Sequence, residues 1–189
     1  LFGYHAILRR PSETEPYNFQ FIIDRFKKDD DEPSKPIDLN IGTVMIRRGL
    51  LEHHVGSDTL AASGGPLPFT LQHLLLDSLS AKISAFALTD DSISVSVNSL
   101  SFSEQRSGFK VNDLCFGLHA TDHDARLTDF QLTLPQSSIT IPEATARWEA
   151  DDLAKANVIV PQLEASVTPT DLQAFLPNTL LTDELHPVW

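Results

Sequence analysis

The feature that most constrains the fold is a short apolar pattern that recurs along the chain. Its unit is an apolar residue, two polar or small residues, and then two apolar residues separated by one position. Copies begin at residues 41, 76, 97, 111 and 127, and fainter copies begin at 141 and 160. The last five copies recur every 14 to 19 residues. That spacing fits one β-strand plus one tight connection.

The alternation around each copy has a period of two, but its phase shifts by one residue at the polar pair. Ile93, Val95 and Val97 precede one such shift, and Leu100 and Phe102 follow it. In a regular strand the shift would turn the second half toward solvent, whereas a β-bulge returns both halves to one face. The sequence therefore predicts bulges near Asn98-Ser99, Asn112-Asp113 and Thr128-Asp129. Bulges stacked across neighbouring strands would bend the sheet into a trough.

Turn-forming residues separate the alternating runs and predict hairpins with antiparallel neighbours. These turns are Arg48-Gly49, Asp90-Asp91, Arg106-Ser107-Gly108, Asp122-His123-Asp124 and Pro135-Gln136-Ser137. Longer loops are expected at 29–36 and 56–68. The predicted fold class is all-β: a curved antiparallel sheet of bulged strands over residues 37–167, forming a trough or an open sandwich.

One short helix is predicted at residues 168–177, near the C-terminal end of the sequence. Thr168 is a suitable N-cap, Pro169 suits the first helical position, and Asp171 favours the N-terminal end of the helix dipole. Pro177 would end the helix after about two turns. Its apolar residues share one face and are expected to plug an end of the sheet: Leu172, Phe175 and Leu176.

Composition argues against several classes of function. The formal net charge of −12 disfavours nucleic-acid binding, which depends on clustered Lys and Arg. Cys115 is the only cysteine, so the chain contains no disulfide and no thiolate metal cluster. No uninterrupted apolar run is long enough for a membrane helix. The start, Leu1 to Ala6, has neither Met nor a signal-peptide pattern, so residues 1–189 are interpreted as a single β-repeat domain cut from a longer chain.

No catalytic motif is found, and neither a catalytic residue, a metal site nor a cofactor is predicted. His119 and His123 lie four residues apart beside Asp122 and Asp124, but across a predicted turn rather than along a helix. A solvated turn is therefore preferred to a metal site. A hydrolase that uses these histidines or turn carboxylates is the least favoured hypothesis.

The remaining candidate for function is the apolar face of the sheet. Its residues are Val97, Leu100, Phe102, Val111, Leu114, Phe116, Leu118, Leu127, Phe130, Leu132 and Leu134. An antiparallel sheet with one apolar face must cover that face with a second layer, with itself or with a ligand. Two hypotheses stay open: a trough that shields lipid acyl chains, and a closed β-sandwich that serves as a structural or adhesin-like module.

Three parts of the sequence together resemble an internal segment of the TamB/AsmA superfamily of bacterial envelope proteins. They are the strand from Ile37 to Gly49, the bulged repeats from Val97 to Leu134, and the segment from Thr168 to Pro177. The resemblance covers residues 17–189, and it rests on the order of these parts rather than on any single motif.

The resemblance implies a periplasmic protein tethered to the inner membrane by an N-terminal helix outside this sequence. It implies a long β-structure with an apolar trough, which takes part in phospholipid transport between membranes or in outer-membrane protein assembly. The implied partners are phospholipid acyl chains and outer-membrane assembly proteins. Only the apolar face itself can be transferred to this sequence, since the family motif names no binding residue here.

Overall fold

In a computed structural model, the chain forms one open, mixed and largely antiparallel β-sheet of ten strands. The structure describes residues 2–21, 38–57, 67–149 and 155–175. The strands are β1 (His5–Arg10), β2 (Asp38–Val55), β3 (His73–Thr89), β4 (Ser92–Glu104), β5 (Lys110–Val111), β6 (Asp113–Thr121), β7 (Asp124–Thr133), β8 (Ser138–Arg147), β9 (Asn157–Ile159) and β10 (Glu164–Ser166). Their order across the sheet is β1-β2-β3-β4-β6-β7-β8-β10, with β5 beside β4 and β9 beside β8. The all-β prediction is therefore confirmed at the level of a single sheet.

The first strand departs from the predicted antiparallel pattern. β1 pairs with β2 in parallel, with His5 opposite Leu50 and Arg10 opposite Val55. The sequence reading placed no strand before residue 37. A six-residue strand that pairs with a segment more than forty residues away has no adjacent turn to mark its partner.

Bulges interrupt the strands at two of the three polar pairs where the repeat predicted them. Between β3 and β4 the register gains one residue at Asn98, and between β6 and β7 it gains one near Asp129. Asn112 separates β5 from β6. Two of the three predicted bulges are thus confirmed, and at the third position the strand is interrupted without a register shift against β4.

Four non-glycine residues have a left-handed backbone conformation, with φ between 51° and 55°: Arg48, Ser78, Ala85 and Asp129. Each of them lies at a register shift between neighbouring strands. Left-handed φ values are uncommon outside glycine, so these positions mark the extra residue of a bulge.

The predicted turn at Arg48-Gly49 is wrong, because both residues lie inside β2. Arg48 forms a bulge, and the strand continues to Val55. Gly49 has a different role from that of a turn glycine. The Tyr4 ring occupies the space in which a Cβ atom at residue 49 would lie. The other four predicted turns connect consecutive strands.

The C-terminal helix is shorter than predicted. Helix α1 spans Pro169–Leu172 and continues as a 3₁₀ turn, Gln173–Phe175. Thr168 occupies the N-cap position, but its side chain makes no capping hydrogen bond; its Oγ1 instead donates to the carbonyl of Gln136. The prediction for the buried side of this helix is also partly wrong, since Asp171 and Ala174 are buried while Leu172 is 40% exposed.

Several expectations fall on residues outside the described ranges. The predicted loop at 29–36, most of the loop at 56–68, and helix positions Leu176 and Pro177 belong to this group. Among the residues that the structure describes, no helix is long and apolar enough to span a membrane.

Candidate functional site

The strand register brings the predicted apolar residues onto one face of the sheet. Directly opposite residues on neighbouring strands point to the same side. Val97 lies opposite Ile83 on β3 and Phe116 on β6, and Leu100 lies opposite Ala81. Because Ile83 and Ala81 are two positions apart on β3, both halves of β4 point to the same side despite the bulge at Asn98.

The same face continues across the following strands. Leu118 lies opposite Leu127, and Leu114 lies opposite Leu132. Phe102 lies opposite Val111 on the other side of the interruption. Phe116 lies between Leu114 and Leu118 on the same side of β6, and Phe130 lies two positions before Leu132 on the same side of β7. Leu134 directly follows β7 and is buried. The predicted set therefore forms one row, here called the apolar face.

The apolar face is only partly covered. Val97, Val111 and Leu134 are buried, whereas the other eight residues of the set are half-buried. The face extends onto β2, where Leu39 and Ile41 are 45% and 37% exposed. The described strands belong to a single sheet. None of the strands in the described ranges forms a second sheet over this face.

A cluster of aromatic rings covers one end of the apolar face. Phe109 has its ring centroid 6.3 Å from that of Phe102 and 4.8 Å from that of Phe175. Phe69 contacts Phe175 at 5.1 Å and Phe109 at 5.3 Å. The 3₁₀ turn after α1 therefore supplies one ring of the plug that was predicted, and Phe69 and Phe109 supply the others.

Hydrogen bonds hold α1 against the turn between β7 and β8. Asp171 Oδ2 accepts from the backbone N–H of Gln136 at 2.9 Å, and the buried Ser137 Oγ accepts from the N–H of Thr168 at 3.0 Å. The carbonyl of Ala174 also accepts from the N–H of Phe69 at 2.7 Å. Asp171 thus serves as an acceptor for a neighbouring loop.

Within the described ranges Glu104 is the most deeply buried large side chain, although it points to the apolar face two positions after Phe102. It is 2% exposed. Its Oε2 accepts from Ser107 N and Oγ at 2.7 and 2.6 Å, and its Oε1 accepts from the backbone N–H groups of Leu75 and Arg106 at 3.1 and 3.2 Å. These four donors satisfy a carboxylate that closes the covered end. A glutamate at the end of a strand carries no sequence signal of burial.

The opposite face of the sheet is polar. Ser94 lies opposite His119, and their Oγ and Nδ1 atoms are hydrogen bonded at 2.7 Å. Arg126 Nη2 donates to Glu143 Oε2 at 2.8 Å, and this bond raises the pKa of the exposed guanidinium. Cys115 is half-buried, lies opposite Gln131 and donates to a backbone carbonyl at 3.8 Å.

The histidines considered as metal ligands have separate surroundings. His119 is bonded to Ser94 on the strand, whereas His123 lies in the β6–β7 turn beside a cavity of about 730 Å³. Within the described ranges, no group of three or more His, Cys, Asp or Glu side chains is placed to hold a metal ion. His53 and His54 occupy opposite faces, as predicted: His53 Nε2 contacts the Tyr17 hydroxyl at 2.8 Å, and His54 contacts Glu52.

The structure also brings together a charged group that sequence reasoning missed. Glu52 accepts hydrogen bonds from His5 Nε2 at 2.7 Å and from His54 Nε2 at 3.1 Å. The hydrogen bonds from His54 and then from His5 lower the pKa of the Glu52 carboxyl. Nearby, burial raises the pKa of Tyr4. The parallel pairing of β1 with β2 brings His5 to Glu52 and His54, which both lie on β2, and no local pattern marks that pairing.

Comparison of the chain with protein-family models, with curated proteins and with solved structures finds no match.

Proposed function

We propose that this chain is a non-enzymatic segment of an envelope protein that shields phospholipid acyl chains along its apolar face. The observation that supports the proposal is the burial pattern of that face. Eight of the eleven predicted residues are half-buried in a continuous row, while one end is closed by aromatic rings. Covering such a face with an apolar ligand is favourable by about 25 cal/mol for each Å² of apolar surface removed from water.

The bulges support a trough rather than a flat sheet. A bulge bends its strand and increases the local twist, and bulges occur on β2, β3, β4 and β7. We infer that they curve the sheet around its apolar side. The periplasmic location, the tether to the inner membrane and the role in phospholipid transport or outer-membrane protein assembly rest on the resemblance to the TamB/AsmA superfamily.

Photocrosslinking gives a direct test, because neighbouring residues on one strand face opposite sides. A photoreactive phenylalanine analogue at Leu118 should crosslink to phospholipid in cells, and the same analogue at His119 should not. Equal labelling at both positions, or labelling at neither, would argue against the proposal.

Lipid retention gives a second test on the purified protein. Leu132→Asp places a charge on the apolar face, whereas Gln131→Asp places it on the polar face one position away. Native mass spectrometry should detect phospholipid bound to the wild type and to Gln131→Asp, but not to Leu132→Asp. Circular dichroism checks that both variants keep the sheet. Absence of lipid from all three proteins would contradict the proposal.

The alternative is a structural module whose apolar residues form a protein core. The covered end favours it locally, because Val111 is 3% exposed and Glu104 is fully enclosed there. Under this alternative, a protein partner replaces lipid over the half-buried row. Crosslinking at Leu118 would then yield a protein adduct.

A further inference from the structure

The outer segment of the sheet, residues 157–167, is exposed along its whole length. It contains β9 and β10, which both pair with β8, and the order of the described strands ends there. Three of its apolar side chains keep a large exposed fraction: 61% for Val158, 43% for Val160 and 58% for Leu163. This segment is here called the outer edge. An exposed apolar edge strand is a template for pairing with another strand.

The second half of the outer edge continues the apolar face. Ala165 lies opposite Ile139, and Ile139 lies opposite Leu132 of the apolar face. Directly opposite residues point to the same side of a sheet, so Ala165 points to the apolar side. Because side chains alternate along a strand, Leu163 points there as well.

The first half of the outer edge lies on the same side. Val158 lies opposite Ala146, and Ala146 lies opposite Ala125. Ala125 precedes Leu127 of the apolar face by two positions on β7 and shares its side. Val160 follows Val158 by two positions and also shares its side. The apolar face therefore reaches the outer edge along both halves of this segment.

The two halves of the outer edge are related by a symmetric spacing. The phase of the alternation shifts at Pro161-Gln162, the polar pair of the last repeat copy. The apolar positions before and after it are 158, 160, 163 and 165, so the steps between them are two, three and two residues. These steps are the same when the segment is read from either end. A second copy of the segment in antiparallel orientation would therefore present its apolar residues in matching positions.

In this antiparallel arrangement, each apolar residue of the row meets an apolar residue of the second copy. Val158 lies opposite Ala165, and Val160 lies opposite Leu163. The polar pairs of the two copies face each other, so both strands are interrupted at the same level. Pro161 lacks an N–H, but it lies at this interruption rather than inside a ladder of hydrogen bonds, which is where proline is tolerated in strands.

The charges of the outer edge are compatible with this pairing. Glu164 is the only charged residue between positions 156 and 168, although the chain has a formal net charge of −12. In the antiparallel arrangement Glu164 lies opposite Ile159, so the two copies of Glu164 do not face each other. Like charges directly opposite would destabilise a strand pair, and this register avoids them.

We propose that the outer edge pairs with the outer edge of a second copy of this chain, about a two-fold axis perpendicular to the sheet. A two-fold interface requires a self-complementary surface, and the symmetric spacing provides one. The chain itself turns away from this edge after Val167, because the N–H of Thr168 donates to Ser137 Oγ at 3.0 Å in the β7–β8 turn. The pairing joins the apolar faces of two copies on one side of a continuous sheet. It does not depend on whether that face binds acyl chains.

Sedimentation equilibrium of the whole chain tests the pairing. We expect the wild type to show a reversible monomer–dimer equilibrium as its concentration rises. Leu163→Lys places a charge opposite Val160 at both symmetric positions, so its dimer should be about tenfold weaker. Leu71→Lys is the matched control, because Leu71 is 70% exposed and precedes β3; it should dimerise as the wild type does. Circular dichroism checks that both variants keep the sheet.

Engineered cysteines test the register in a Cys115→Ser background. Chains that carry Val160→Cys are mixed with chains that carry Leu163→Cys and are mildly oxidised. Directly opposite residues of an antiparallel pair have Cα atoms about 4.5 to 5.5 Å apart, a distance that a disulfide can span. The mixed dimer should therefore be the main product in intact mass spectrometry. A mixture of Ile159→Cys with Leu163→Cys is the control, since Ile159 points to the other face, and it should give little mixed dimer.

The proposal is overturned if the wild type stays monomeric at every concentration, which would assign the outer edge to another occupant. It is also overturned if Leu71→Lys weakens the dimer as much as Leu163→Lys does, or if the two cysteine mixtures give equal amounts of mixed dimer. The outcome is separable from that for the acyl-chain proposal, because Leu132→Asp lies on β7, away from the outer edge, and should leave the dimer intact.

Discussion

Replacing Glu104 with glutamine exchanges one carboxylate oxygen for an NH₂ group in the most deeply buried large side chain of the described ranges. Each oxygen of Glu104 accepts two hydrogen bonds, all from donors that belong to Leu75, Arg106 and Ser107. An amide NH₂ cannot accept, so two donors lose their partner whichever oxygen is replaced.

The expected cost follows from these bonds. A hydrogen bond to a charged group contributes about 1.5 to 3 kcal/mol, so two lost bonds cost about 3 to 6 kcal/mol. The Ser107 hydroxyl can rotate toward another acceptor, which favours the lower end of that range. Because whole domains are stable by only about 5 to 15 kcal/mol, Glu104→Gln should lower the urea midpoint by a large fraction.

Urea unfolding followed by circular dichroism measures this difference, and Glu143→Gln is the matched control. Glu143 bonds to Arg126 on the polar face, where the two side chains are 45% and 59% exposed. An exposed pair of this kind contributes at most about 1 kcal/mol. A loss for Glu104→Gln no greater than that for Glu143→Gln would refute the assignment of Glu104 as a buried acceptor.

Three further predictions concern packing and charge. Gly49→Ala should destabilise the chain by about 1 to 3 kcal/mol in thermal or urea unfolding, since its Cβ would collide with the Tyr4 ring; an unchanged midpoint would contradict this contact. Leu79→Ala should cost about 2 to 5 kcal/mol because Leu79 is buried, and the half-buried Leu118→Ala should cost clearly less; equal losses would indicate that a protein core covers the whole face. The pKa of Glu52 is lowered from its usual value of 4.5, so its contribution to stability is present above that value and is lost as pH falls through the folded-state pKa. The wild type should therefore exceed Glu52→Gln in stability near pH 6 and lose that advantage in acid, and a difference that grows in acid would contradict the assignment.

The sequence contained most of the information about the sheet because the repeat encodes it locally. Period-two alternation with a phase shift at Asn98 has one simple solution in a sheet with a single apolar face, namely a bulge. The register bears this out at Asn98 and near Asp129. Four of the five predicted turns likewise follow from local turn chemistry.

The errors have physical causes outside the local pattern. Arg48-Gly49 resembles a turn, but Gly49 is required by the close approach of Tyr4, which directly precedes β1 and lies more than forty residues away in the sequence. The group of His5, Glu52 and His54 depends on the same parallel pairing. No helical or strand periodicity records a contact between two distant strands, so this edge of the sheet could not be predicted.

The bulges also determine how far one apolar face can continue. Phe102 lies five positions after Val97 on β4, and Phe116 lies five positions after Val111 on the neighbouring strands. The interruption at Asn112 therefore compensates for the bulge at Asn98, and the register is the same on both sides. The pairing of β8 with β9 and with β10 has one continuous register across residues 160–163 in the same way. Matched interruptions keep the apolar residues of β4 in line with those of β5 and β6, whereas a single bulge shifts the register between β6 and β7. The repeat thus specifies an apolar face that can extend from strand to strand.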